Sequence, residues 1–394
     1  MSRHTAAHRG FSLVELMIAL VIGTILLAGL VQVFGASRSA YATAEGLSRT
    51  QENGRFAMDV LQRDLRLAGH FGCVNDQARL LENANQFTLS YANAGTEAAY
   101  DTQAWPLRFH ISLQGYEANG TGPGGAVALP AIPAVAGAAA GGNWTPALPA
   151  DLAARAVPGS DVVVLRYIVP ESVTIDAITV GLAPTITFDA ARWPILASGV
   201  AAPGLFAVTD CSNVTIFPGN RALVPGNQVV ATNAGAAIGF REIYEPGRAT
   251  LHRAESVAYY IGIGASGEPA LMRCRATTTA AGCVQEELVE GVENMQLVYG
   301  VSRVANGRPT GYIQDVRTAA VIGDPVANAA ARANWRLVGV TQVGFVVRSP
   351  NQAQAEARAN PFSSLGVAVT PPNDRRVRAA YENTVALRNR LFGN

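Results

Sequence analysis

Glu15 is the residue whose chemistry constrains this chain most. It follows Arg9, Gly10, Phe11, Ser12, Leu13 and Val14, and residues 16–37 beyond it carry no charge. Holding a carboxylate inside a hydrocarbon layer costs about 2.5–3.5 kcal/mol, so such a residue is a candidate for function; the other reading is an acid close enough to the membrane edge to reach the headgroups. Four cysteines offer a second chemistry: Cys73, Cys211, Cys274 and Cys283. Their even number suits two disulfides, for which three pairings exist. Cys274 and Cys283 flank a Thr/Ala/Gly turn, so a local bridge is expected between them, leaving Cys73 with Cys211. Zinc is the competing use of these thiols. No Cys-x-x-Cys spacing occurs, and only Cys73 has a histidine nearby, His70 three residues earlier.

Signals for catalysis are weaker. Residues 262–267 spell G-x-G-x-x-G, but Glu268, Pro269 and a strand-like pattern follow where a dinucleotide fingerprint needs a helix. A hairpin turn is expected there. His70, His110 and His252 are scattered, without acids at metal spacing, and read as surface or satisfied core histidines. Glu286, Glu287, Glu290 and Glu293 lack the Asp/Asn ligands and glycine turn of a calcium loop and read as exposed carboxylates. Arg375, Arg376, Arg378, Arg388 and Arg390 have no interleaved aromatics, so they read as a solvated face or strand edge. No catalytic residue, metal or cofactor is expected.

The elements that must position these residues are of two kinds. The charge-free run of roughly 22 residues, at about 1.5 Å rise each, makes a helix of about 33 Å, enough to cross a bilayer. Residues 11–35 are assigned to that spanning helix and residues 36–70 to an amphipathic continuation, with Tyr41, Leu47, Phe56, Val60, Leu61 and Leu65 near helical spacing. Arg55, Asp59 and Arg63 mark its exposed face, and Gly69 and Gly72 its stop. Gly46 and Gly54 weigh against the helix by about 1 kcal/mol each. From residue 71 to residue 394 the sequence reads as a β-rich head. Residues 86–91, 161–169, 172–175, 256–263 and 338–347 are strand-like, and residues 117–159 form an Ala/Gly/Pro-rich insert that packs little. The fold class is α+β, one long N-terminal helix packed on a large, mostly antiparallel sheet structure.

The chain's 394 residues leave room for one large or two ordinary domains, and its 49% hydrophobic content supplies a core beyond the membrane segment. A net charge of +1 argues against a polyanion binder driven by bulk charge. Every basic side chain is arginine.

A leader with Arg3 and Arg9 ends in Gly10 before the apolar run. An ordinary secretory signal is cut after its apolar region, whereas here the best junction precedes it, between Gly10 and Phe11. The pattern resembles the type IV prepilin signature, Gly-Phe-(Ser/Thr)-Leu-x-Glu followed by about twenty apolar residues. That resemblance implies residues 1–10 are a leader removed by a dedicated prepilin peptidase, which also methylates the new N-terminus at Phe11. The retained helix then serves as membrane anchor and later as filament core. The resemblance gives Glu15 an assembly role, with the freed amine of a neighbouring subunit as its partner. Gln32 stands where major pilins usually carry a helix-kinking proline.

Residues 66–73, 271–274, 286–300 and 384–390 bring the resemblance to minor pilins of the PilW family. Such a protein is expected to be a non-enzymatic subunit that helps initiate the type IV pilus and sits at or near its tip, in twitching motility, adhesion or DNA uptake. Its implied partners are the prepilin peptidase, other minor pilins, the major pilin, the inner-membrane assembly platform and a tip adhesin, with no direct nucleic acid. Arg3 and Arg9 favour a cytoplasmic N-terminus and a periplasmic head, where disulfides form, before the protein reaches the cell-surface pilus. J-type pseudopilins of type II secretion share a similar Glu-Leu-x-Glu-Gly-Val stretch and give the alternative. A membrane-anchored periplasmic enzyme or binding protein is the rival from another class.

Overall fold

A computed structural model describes residues 11–72, 74–75, 87–89, 101–179, 184–210, 212–222, 228–232, 244–276, 283–306, 308–354, 356 and 359–390. Helix α1, Leu13–Leu67, runs 55 residues without a break. Ser12 caps its start, no proline interrupts it, and Gly69, at φ 75°, follows its C-cap Ala68; Gly72, at φ 77°, lies beyond the short strand His70–Phe71. Its two halves differ. Large apolar side chains from residue 13 to residue 34 are all exposed. From Gly46 a stripe at three- and four-residue spacing turns inward, through Thr50, Gly54, Ala57, Leu61 and Leu65.

The two glycines that lower helix propensity are points of close approach to the head. A Cβ on Gly54 would lie 2.5 Å from the Tyr381 ring, and one on Gly46 would lie 2.7 Å from Ala353 Cβ. Gly54→Leu is therefore expected to overpack this contact by about 1–3 kcal/mol and lower the melting temperature by a few degrees. Gly23, with nothing within 4 Å, is the control: Gly23→Leu should melt like the parent. Circular dichroism of the detergent-solubilised protein reads both, and a parental melt for Gly54→Leu would refute the close-approach account.

The head is carried by two large sheets. The twelve-stranded one is built on β1 (Leu113–Ala118), β2 (Val162–Thr174), β3 (Leu205–Thr209), β4 (Val214–Ala222), β5 (Gln228–Ala231), β6 (Thr250–Ile263), β7 (Pro269–Ala276) and β8 (Cys283–Glu290). Strand β6 is its spine. One edge pairs with β2; on the other, residues 250–253 pair with β3 and residues 257–263 with β7. The sheet therefore forks into a β3-β4-β5 arm and a β7-β8 arm. The second sheet comprises β9 (Val292–Ala305), β10 (Arg308–Arg317), β11 (Val338–Arg348) and β12 (Arg378–Ala386), in the order β10-β9-β11-β12 and wholly antiparallel. Helix α2, Ala329–Arg336, precedes β11. Leu61 and Leu65 of α1 share one core with Tyr259, Leu271, Met295 and Phe345 from both sheets.

Two expectations change. The separate strands expected at 161–169 and 172–175 are the single strand β2, irregular where it passes His252 and Ala254. Within residues 117–159, residues 122–140 are mostly exposed or half-buried, as expected, but the part from Gly141 onward packs better than its composition suggests. Trp144, Leu148 and Leu152 are buried against Tyr116 and Tyr260, and the Trp144 indole donates to the Ser160 carbonyl at 2.8 Å. A few large side chains anchor a segment whose small residues let it lie close.

Asp161 joins the two sheets, accepting from the N–H groups of Ala118 on β1 and Leu297 on β9, each at 2.8 Å. Glu117, 4% exposed, is its electrostatic neighbour. Burial pushes Glu117 up to about 7, and burial together with the Glu117 charge raises Asp161 well above the usual range. A carboxyl whose folded pKa exceeds its unfolded value destabilises the fold while ionised. That penalty is full above pH 7, shrinks as pH falls through 7, and is gone below about 4.5. Unfolding free energy is expected to rise by about 1–3 kcal/mol from pH 8 to pH 5.5, and Glu117→Gln should flatten that rise. Urea titrations at the two pH values check this; an unchanged slope in the variant contradicts it.

Candidate functional site

The site assembles at the start of α1. Phe11 is 86% exposed. Ser12 is extended, its hydroxyl accepts the Val14 N–H at 3.3 Å, and the Glu15 carboxylate accepts the Ser12 N–H at 3.1 Å. Together they form a capping box, in which side chains satisfy backbone donors that a helix start leaves unpaired. An acid here also suits the positive end of the helix dipole. Among the described residues Glu15 has no ion pair, so its charge is satisfied only by its own backbone. The Ser-x-x-Glu spacing carries this cap in the sequence. Gly10 and the rest of the leader lie outside the described residues.

Beyond the cap, α1 contains the one described helix long and apolar enough to cross a membrane, and its apolar window is unburied. Its second half is fastened to the head by polar groups as well as by the core. Asn53 donates to the Glu290 carbonyl at 2.9 Å, Asn383 to Gln62 at 3.0 Å, and Asn389 to the Arg66 carbonyl at 3.0 Å. Tyr259 donates to Asp64, and Arg273 lies 3.5 Å from the same carboxylate. Burial raises Tyr259 well above its usual range, so it stays a donor. The head thus holds half a helix rigidly and leaves the other half bare.

Cys274 and Cys283 form the expected local disulfide, with Cα atoms 5.3 Å apart, where β7 ends and β8 begins. Cys73 and Cys211 lie outside the described residues, and so does their expected pairing.

Residues 258–389 match the family model described as Type IV Pilus-assembly protein W, and residues 5–31 match the prokaryotic N-terminal methylation motif. The protein matches a PilW-family pilin with a prepilin-type signal. Among solved structures, a type IV-like pilin from Thermus thermophilus matches 49% of this sequence and 87% of its own, at 13% identity and a TM-score of 0.21. No curated protein matches. The PilW match contains β7 to β12, and so the whole second sheet on which α1 is seated. Those matches support a type IV pilus-related pilin, a structural component of the pilus.

Around this PilW region several other candidate residues acquire definite places. The G-x-G-x-x-G stretch is the β6–β7 hairpin turn, closed by Gly264 N–H to the Glu268 carbonyl at 2.8 Å. His252 is a satisfied core histidine, bonded to the Val169 carbonyl at 2.9 Å and Thr250 at 3.0 Å, and burial lowers its pKa. His70 contacts the Ile168 carbonyl at 2.8 Å, and His110 contacts Asp101 at 2.9 Å. Among the described residues no group of three or more His, Cys, Asp or Glu is placed to hold a metal ion.

The charge runs need correction. Glu287 is exposed as expected, but Glu286 is paired with Arg273 at 2.7 Å and Glu293 is buried. Among the arginines, Arg375 and Arg388 are exposed. Arg378 is buried on Glu293, and Arg390 is buried on the Trp335 carbonyl and Ser112. The acids and bases that read as two solvated faces meet inside one head.

Proposed function

We propose that this pilin is a minor subunit that takes part in starting type IV pilus assembly. The prepilin peptidase cuts between Gly10 and Phe11, Phe11 is N-methylated, and α1 anchors the protein in the inner membrane with its N-terminus cytoplasmic and its head periplasmic. The assembly platform then moves the helix from lipid into contact with helices of other minor pilins and the major pilin. The observation carrying this reading is the half-bare helix: its apolar side chains from residue 13 to residue 34 find no cover in their own subunit. Lipid and neighbouring helices are the surroundings that satisfy such a surface.

A tip position follows from size. A head with a twelve-stranded and a four-stranded sheet suits the end of a filament better than a closely repeated shaft position. An adhesin carried at that end, and a role in twitching, adhesion or DNA uptake, belong to the same proposal.

Deletion of the gene is expected to remove surface pili and twitching while exoprotein release continues. Loss of exoprotein release with twitching intact would instead assign the protein to type II secretion. Immunogold label spaced along the shaft would contradict the tip position.

A further inference from the structure

Beside the end of α1 the large sheet leaves a cleft of about 840 Å³. Its floor is one face of β6, β7 and β8, carrying Arg253, Glu255, Arg273, Arg275 and Glu286. Its walls are largely apolar, from Leu67 on α1, Val169 on β2 and the segment around Val200.

The floor has more donors than its acids engage. Glu255 is shared between Arg253 and Arg275, the latter at 3.0 Å. Glu286 is taken by Arg273 at 2.7 Å and lies 3.6 Å from Arg275. Arg253 is left short: of the five N–H donors on a guanidinium, only those on Nη1 have a partner among the described residues. Its Nε and that of Arg275 are buried without an acceptor. Arg253 is 5% exposed, and burial with the adjacent Arg275 charge lowers its pKa to about 10. A guanidinium so placed gains from a second anion.

We propose that this cleft binds an extended peptide segment through one carboxylate seated on Arg253 and Arg275, with flanking side chains against the apolar walls. A planar monoanion fits guanidinium donors in pairs. A phosphate dianion is disfavoured, because Asp64, Glu171, Glu255 and Glu286 line the same cleft and Glu171 already acts on Arg253 from a distance. The cleft's volume lies within the range of a formed ligand site and exceeds what a lone carboxylate fills. An acidic side group and a free peptide terminus present the same carboxylate.

The test uses the full-length protein in detergent micelles and equilibrium dialysis with mass spectrometry. The probes are three pentapeptide pools with uncharged flanks: one with a central Glu and an amide end, one with a central Gln and an amide end, and one uncharged but ending in a free carboxylate. At least one carboxylate pool is expected to be retained at least tenfold over the Gln pool, and which one identifies the source. Arg253→Gln should remove that excess. Val200→Trp, which fills the cleft from its wall without touching an ion pair, should remove it with the parental melt retained. Equal retention of all pools, an excess that survives Val200→Trp, or displacement by inorganic phosphate would each overturn the proposal.

Discussion

Glu15→Ala is expected to yield a protein that is still cleaved and still held in the membrane, yet enters filaments on the order of a hundredfold less often. Two effects act in the same direction. Removing the carboxylate relieves the cost of about 2.5–3.5 kcal/mol that it incurs in lipid, so the membrane-held subunit becomes harder to extract. In the filament, the variant lacks the acid proposed to meet a neighbour's freed N-terminal amine. The capping box adds a third role, because alanine at this position also leaves the Ser12 N–H without its acceptor. Glu15→Gln separates the roles: a glutamine serves the cap but carries no charge. Immunoblots of sheared pili against membrane fractions read both variants. Parental pilus levels for Glu15→Ala would sink the assembly role. A Gln variant that assembles normally would reduce that role to capping.

How much of this could be read from the sequence depends on the range of the interaction. The long helix was legible because its signals are local: an uninterrupted charge-free run, then a three- and four-residue stripe, then two glycines. The hairpin at residues 262–267 was legible for the same reason, since Pro269 precludes a helix start in the form a fingerprint needs. The role of Gly46 and Gly54 was hidden because propensity concerns the helix alone, whereas Ala353 and Tyr381, some three hundred residues later, decide what fits beside them. The anchors of the low-complexity segment were hidden similarly, since burial of Trp144 depends on Tyr116 and Tyr260 in other strands. Composition also concealed the fork in the large sheet, because no residue of β6 announces that its two halves take different partners.

The acidic and basic runs make the same point at higher energy. Glu293→Ala is expected to destabilise the head by about 3–5 kcal/mol, because it removes the acid from between two buried guanidiniums. Glu293 accepts from Arg348 at 2.8 Å and from Arg378 at 2.6 and 3.0 Å, so it ties the start of β9 to the end of β11 and the start of β12. Arg348 also reaches Glu268, at the β6–β7 turn, and Arg378 reaches Asp374 at 2.7 Å. Those remaining acids soften the loss without replacing Glu293, since Arg348 Nε already has no acceptor. The strands involved also seat α1, so the damage should extend to the helix contact at Tyr381. Glu293→Leu combined with Arg348→Met should be less damaging than Glu293→Ala alone, as replacing an ion pair by apolar groups avoids stranding one charge. Urea unfolding of the detergent-solubilised parent and the two variants measures this. A single variant within about 1 kcal/mol of the parent would mean that these charges are solvated after all, as isolated surface pairs are.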